Sequence, residues 1–182
     1  MGLNIRVNVP VDNLPQLIDE AVLEKMISAD TAKYAQKLLE EKYLQEIGIY
    51  QPLLVRVGSY KCLQALRVAY IAMVENISVD SLTGENRISA YGRHCLSNLI
   101  HHSDYGGWYL PENIQPVFVM DISPPHALAI HVSIGSSFGL LSELESMIGR
   151  DDVLVGAVKE TFDELFICAV ASIASMEPMK FC

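Results

Sequence analysis

Alternating apolar and polar residues mark the first element of the chain. Residues 3–9 alternate in this way and end at Pro10, and a period of two is typical of a half-buried strand. Short apolar runs predict three further strands, at 53–57, 117–122 and 128–134. The sequence Ser123-Pro124-Pro125 favours a turn, so the last two strands are predicted to form a hairpin. We therefore expect a small mixed sheet of about four strands.

Apolar residues spaced three or four apart predict about six helices. They are expected to begin near Asp12, Asp30, Ser59, Asn86, Ser136 and Asp152. The helix that starts near Asp30 ends at Gly48, and its Lys and Glu side chains are interpreted as a solvated face. The last helix is apolar on nearly every side after Leu165. A helix that is apolar all round is buried, so we place it at the centre of the packing.

These elements predict an α/β (α+β) fold, with the small mixed sheet packed by about six helices. A chain of 182 residues is of ordinary size for one domain. No linker and no low-complexity segment interrupts it. The prediction is a single globular domain over residues 1–182.

The charge of the chain narrows the classes of partner. It has 22 acidic and 13 basic residues, which gives a net charge of -9. Binding to phosphates needs a local excess of Lys and Arg, so no nucleic acid is expected as a partner. An acidic surface suits docking onto a basic protein by electrostatic steering. The expected partner is therefore a protein, and a basic one.

The cysteines and the apolar runs bear on the compartment. Cys62, Cys95, Cys168 and Cys182 are far apart, as is typical of thiols in a reducing compartment. The first residues lack the basic and apolar regions of a signal peptide. The longest apolar run, 165–176, is too short to span a bilayer. We expect a cytoplasmic protein without a membrane partner.

A polar stretch at 101–111 holds the residues with the most chemistry. Imidazole and carboxylate groups suit a divalent transition metal. A metal site there would use His101, His102, Asp104 and His131, with His126 as a further candidate. No spacing typical of a metal motif is present, and Ser103 and Asp104 before two glycines also suit a turn. No cofactor is predicted, and the metal site stays an alternative.

A second candidate site is the sequence Gly135-Ser136-Ser137-Phe138-Gly139, which matches G-x-S-x-G between a strand and a helix. In a serine hydrolase Ser137 would be the nucleophile, followed by the acid and then the histidine. The last histidine of the chain is His131, so this order is not met. Helix capping by serine explains the motif without a reaction.

Several short motifs together resemble a known family. They are Gly58-Ser59-Tyr60 with Leu63 and Arg67, then His102-Ser103-Asp104 with Gly107, then Gly135-Ser136-Ser137 with Leu140, Leu141, Glu143 and Leu144. This combination resembles an uncharacterised bacterial family with G-S-Y…L-R and H-S-D-x-x-G segments, some members of which resemble immunity proteins of toxin systems. The resemblance covers residues 53–148, and the helices before Leu53 lie outside it. It implies a binding role and no catalytic residues.

The leading hypothesis is a non-enzymatic cytoplasmic protein-binding module, of the immunity type that neutralises a toxin. The residues assigned to its binding surface, or to shaping it, are Tyr60, Arg67, Ser103, Asp104 and Trp108. Trp108 lies beside flexible glycines and could anchor a partner or pack in the core. Two alternatives stay open. One is a small metal-dependent or serine hydrolase that uses the stretch from His101 to Asp104. The other is a structural homodimer with the apolar C-terminal helix as its seam.

Overall fold

The computed structural model describes residues 3–44, 51–101, 106–121 and 130–181. Its α-helices are α1 Leu14–Leu23, α2 Ala29–Lys42, α3 Tyr60–Glu75, α4 Gly84–Arg93, α5 Asn98–His101, α6 Ser137–Glu145 and α7 Gly156–Ser175. Its strands are β1 Leu3–Pro10, β2 Pro52–Val57, β3 Gly107–Leu110, β4 Val117–Asp121, β5 Ile130–Ser136 and β6 Met179–Phe181. Single 3-10 turns lie at Val11–Asn13 and Val79–Ser81. The α/β class predicted from the sequence is confirmed.

The described strands form one mixed sheet in the order β2-β1-β6-β3-β5-β4. The pair β3 and β5 is parallel, and every other pair is antiparallel. The predicted hairpin of β4 and β5 is present. Side chains alternate across the sheet, with Ile5 and Val7 buried on one face and Arg6 and Asn8 exposed on the other. Helices therefore cover only one face of β1.

The helix α7 is the centre of the packing, as its apolar sequence predicted. It contacts strands β1, β2, β3 and β6 on one side and helices α1, α2, α3 and α6 on the other. Phe162, Phe166 and every residue from Leu165 to Ile173 are buried. The hypothesis of a homodimer with this helix as its seam is wrong, because these side chains already pack against the rest of the chain.

The middle of the sheet order contains two strands, β6 and β3, that the periodicity did not predict. β3 has four residues and β6 has three, and segments this short carry too few alternating positions to be recognised. Both are held by their neighbours. Tyr109 on β3 is opposite Met179 on β6, and both side chains are buried. The described sheet thus has six strands where about four were expected.

The helix predicted from Asn86 to His101 is two helices, α4 and α5, separated by residues 94–97. Ile88 on α4 is 71% exposed, so this apolar residue does not face the core. The amides of Asn98 and Leu99 each donate to the Glu143 carboxylate on α6, at 2.8 Å. This carboxylate caps α5 from another helix, so the chain turns before Asn98 instead of continuing α4.

Helix α2 ends at Lys42 in the structure. The predicted end at Gly48 lies outside the described residues. In the described part of the chain, no helix has the length and apolar character needed to cross a membrane.

Candidate functional site

The structure separates the residues that the sequence assigned to a binding surface. Tyr60 begins α3 and is half-buried. Trp108 lies on β3 and is 37% exposed, which leaves its ring available at the surface. Ser103 and Asp104 lie outside the described residues. The described part of the chain does not bring Tyr60 and Trp108 together, since they belong to α3 and to the opposite face of the sheet from α7.

Arg67 is not a surface residue. Its side chain is 3% exposed, and its Nε donates to the carbonyl of Leu99 at 2.8 Å. A buried guanidinium needs such partners to offset its lost hydration. Arg67 therefore joins α3 to α5 and can act on a binding surface only by shaping it.

The metal alternative falls largely outside the described part of the chain. His102, Asp104 and His126 lie outside it, and so do the side chains of His101 and His131. Among the described residues, no group of three His, Cys, Asp or Glu side chains could hold a metal ion.

The G-x-S-x-G segment is a structural junction. Ser137 is fully buried, and its hydroxyl lies 2.8 Å from the Ser172 hydroxyl of α7. Ser136 caps α6 by accepting from the amide of Gly139 at 3.0 Å, and it donates to the carbonyl of Glu112 at 2.6 Å. A nucleophile must be reached by its substrate. The burial of Ser137 excludes that role, and capping explains the motif.

A charged feature of the described surface is formed by α1 and α2 with the 3-10 turn before them, here called the acidic hairpin (residues 11–42). It carries seven acidic residues and four lysines, which are Lys25, Lys33, Lys37 and Lys42. Its acidic side chains are all exposed, and they are Asp12, Asp19, Glu20, Glu24, Asp30, Glu40 and Glu41. Gln36 on α2 donates to the Asp19 carboxylate on α1 at 2.7 Å, so the two helices lie side by side. The hairpin therefore presents seven carboxylates on one helical unit.

The carboxylates of the first half of the hairpin follow one line. Asp12, Gln16, Glu20 and Glu24 are four residues apart, and all four are exposed. Residues four apart on a helix are neighbours, roughly 6 Å from one to the next. This spacing holds for Gln16, Glu20 and Glu24, whereas Asp12 lies in the 3-10 turn before α1. No Lys or Arg lies between residues 7 and 24. The charged members of this line are Asp12, Glu20 and Glu24, because Gln16 is neutral and donates its side-chain amide to Glu20 at 2.8 Å. The line therefore holds three carboxylates and no basic residue.

The second half of the hairpin is anchored from below. Lys42 lies 3.7 Å from Asp163 and 3.5 Å from Glu164 on α7. The Tyr34 hydroxyl donates to Asp163 at 2.7 Å, and the Tyr43 hydroxyl donates to Glu164. Burial and these carboxylates raise the pKa of both tyrosines above their ordinary values. The contacts hold α2 on the central helix, so the carboxylates above it stand on a fixed support.

Comparison with known proteins gives one family. The model of a family described as "Putative DNA-mimic protein" matches residues 1–150. The chain belongs to this family. No curated protein and no solved structure matches the chain.

This membership agrees with the coarser part of the functional hypothesis, that the protein is a binding module for other proteins. It corrects the predicted partners. The sequence predicted a protein partner, and a basic one, left a homodimer open, and expected no nucleic acid or membrane partner. A DNA mimic takes the place of DNA, so the partners of such a protein are proteins whose ligand is DNA.

The sequence reasoning also missed the acidic hairpin. It interpreted the charges after Asp30 as a solvated face and assigned no role to those of α1. A signal was present in the stretch between residues 7 and 24, which holds four acids and no base. A run of one charge sign on a helical face indicates electrostatic recognition when its spacing matches that of a ligand.

Proposed function

We propose that this protein occupies the DNA site of a DNA-binding protein by presenting the exposed carboxylates of the acidic hairpin. The observation that carries the proposal is the exposed line of Asp12, Glu20 and Glu24, without a Lys or Arg among them, on a chain of the DNA-mimic family. A DNA-binding site holds Lys and Arg side chains placed to contact successive phosphates. Glu20 and Glu24, roughly 6 Å apart, can meet two neighbouring cations at once, and Asp12 can meet a further one.

Electrostatics makes such binding fast and sensitive to salt. The net charge of -9 attracts a basic surface over a distance of about 10 Å at ordinary ionic strength, and complementary charge raises the association rate. Because the protein and DNA then use the same cations, each excludes the other from the partner. Neutralisation of a toxin, as in the first hypothesis, is the special case in which the partner is a nuclease.

Competition with DNA tests the proposal. The immobilised protein is exposed to a cell lysate treated with nuclease, and bound proteins are eluted with a short DNA duplex. We expect DNA-binding proteins in the eluate, and their release by raised salt in the absence of DNA. Simultaneous binding of the duplex and this protein to the purified partner would refute the shared site.

Two matched double variants locate the contact. We expect Glu20→Gln with Glu24→Gln to weaken binding to the purified partner roughly tenfold, because each lost surface charge pair is worth up to about 1 kcal/mol. Glu85→Gln with Glu112→Gln removes the same charge from exposed positions outside the hairpin and serves as the control. Equal losses in both variants would show a general charge effect without a role for the hairpin.

A further inference from the structure

One row of side chains crosses all six described strands on the sheet face away from α7. Each member is directly opposite the next in the register of the strands. In order from β2 to β4, the row is Leu54, Arg6, Lys180, Trp108, Ile134 and Val117. Strands are about 4.8 Å apart, so the row is about 24 Å long.

The ends of this row expose apolar side chains. Leu54 is 59% exposed at one end, and at the other end Val117 is 50% exposed beside the half-buried Ile134. Trp108 stands between Ile134 and the centre of the row. Trp108, Ile134 and Val117 adjoin one another, and exposed apolar groups that adjoin mark interaction sites more often than scattered ones do.

The centre of the row is basic, in contrast to the chain as a whole. Arg6 and Lys180 are adjacent across β1 and β6, and Arg56 is exposed on the same face. The sequences of β1, β2, β3 and β6 contain no Asp or Glu. The Lys180 ammonium lies 5.0 Å from the centre of the Trp108 ring. This face therefore offers cations flanked by apolar groups on both sides.

We infer that this sheet face is a docking surface for an acidic amphipathic helix of a partner protein. Helices are the usual cover of an apolar sheet face, and a row about 24 Å long accommodates about 16 helical residues at a rise of 1.5 Å. The carboxylates of the docked helix pair with Arg6 and Lys180. Its apolar residues contact Leu54 at one end and Trp108 and Val117 at the other. The surface is separate from the acidic hairpin, which packs against α7, whereas the row lies on the sheet face away from α7.

Single-stranded nucleic acid fits this row less well. Such ligands stack successive bases on aromatic rings and follow a continuous basic groove. The row has one aromatic ring, and Leu54, Ile134 and Val117 neither stack on bases nor neutralise phosphates. A chain of phosphates is also repelled more strongly by a protein of charge -9 than a peptide with a few carboxylates is.

Trp108 is the only tryptophan of the chain, so its fluorescence reports occupation of this face directly. The probe is a synthetic 16-residue helical peptide of Ala, Leu and Glu, with Glu at the centre of one face and Leu at both ends of it. We expect the peptide to shift the Trp108 emission to shorter wavelength and to protect the ring from acrylamide. A peptide with Lys in place of Glu is expected to do neither.

Charge reversal identifies the cations that bind the peptide. Arg6→Glu with Lys180→Glu is expected to weaken peptide binding by tenfold or more, since each affected surface pair contributes up to about 1 kcal/mol. Lys33→Glu with Lys37→Glu makes the same change on α2 and should leave peptide affinity within twofold. Leu54→Ser tests the apolar end at an exposed position that folding does not depend on, and it should also weaken binding.

Four results would overturn the inference. One is an unchanged Trp108 emission with the acidic peptide, and another is equal affinity for the sheet-face variant and the α2 variant. A third is a shift produced by an oligothymidylate and not by the peptide, which would make the face a nucleic-acid surface. The fourth is a shift that grows with protein concentration alone, which would make a second copy the occupant. Glu20→Gln with Glu24→Gln leaves the peptide response unchanged, so failure here is separate from failure of the proposed function.

Discussion

Two glycines, one near the end of β5 and one in the first turn of α6, are required by what lies against them. A Cβ at Gly139 would lie 2.1 Å from Nδ2 of Asn98, and one at Gly135 would lie 2.7 Å from the Tyr109 ring. Asn98 cannot retreat, because its Oδ1 accepts from the amide of Ser136 at 2.7 Å and its carbonyl accepts from the Tyr109 hydroxyl at 2.6 Å. The glycines of the G-x-S-x-G motif are therefore explained by close packing around Asn98 and Tyr109, without a catalytic role.

Gly139→Ala is expected to destabilise the protein by about 1–3 kcal/mol, the usual cost of overpacking a filled site. Gly92→Ala is the control, since a Cβ there meets nothing within 4 Å, and Ala in a helix stabilises by about 0.5 kcal/mol relative to Gly. Urea unfolding followed by circular dichroism measures both. A Gly139→Ala protein as stable as the parent would show that Asn98 can move aside.

At the scale of elements, the contact between α5 and α6 depends on one partly buried carboxylate. Glu143 accepts from the amides of Asn98 and Leu99 and from the Ser97 hydroxyl at 2.9 Å. Burial nevertheless raises its pKa, and these donors only partly offset the effect. The same carboxylate and burial raise the pKa of Tyr70 to about 12. The Glu143 carboxylate that caps α5 is therefore destabilised in its charged form by burial.

The raised pKa of Glu143 predicts a pH dependence of stability with a definite sign. Between the unfolded value, about 4.3, and the raised folded value, the folded state binds more protons than the unfolded one. The free energy of unfolding therefore falls as pH rises through this window. We expect this fall to be smaller in Glu143→Gln, which does not titrate, and thermal unfolding between pH 4 and 7 measures the difference. Parallel curves for the two proteins would contradict the assignment.

At the scale of the molecule, α7 separates two surfaces of opposite character. Both helices of the acidic hairpin contact α7, and so do the strands whose opposite face carries the basic row. Because its central residues are buried on all sides, α7 has no route to solvent short of unfolding the whole domain. Both surfaces thus rest on the same rigid element.

This arrangement predicts the pattern of hydrogen exchange. Amides of residues 162–173 are expected to exchange only through global unfolding, whereas those of α4, whose side chains are mostly exposed, open locally. Exchange measured by mass spectrometry on fragments compares the two helices in one sample. Exchange of α7 as fast as that of α4 would show that the centre of the fold lies elsewhere.

The sequence by itself determined the elements whose patterns are long and regular. Residues 3–9 alternate over enough positions to identify β1, and the apolar run after Leu165 identified α7 as a buried helix, since each signal depends only on which side chains must avoid water. The net charge indicated binding by electrostatics without showing where the charges gather.

Only the tertiary structure decided the rest. The break before Asn98 depends on a carboxylate 45 residues further along the chain, and β3 and β6 exist because each completes the other within the sheet. The burial of Arg67 and Ser137, and the row from Leu54 to Val117, depend on which elements become neighbours. Local periodicity contains no information about contacts between distant segments, and in this protein those contacts create both candidate surfaces.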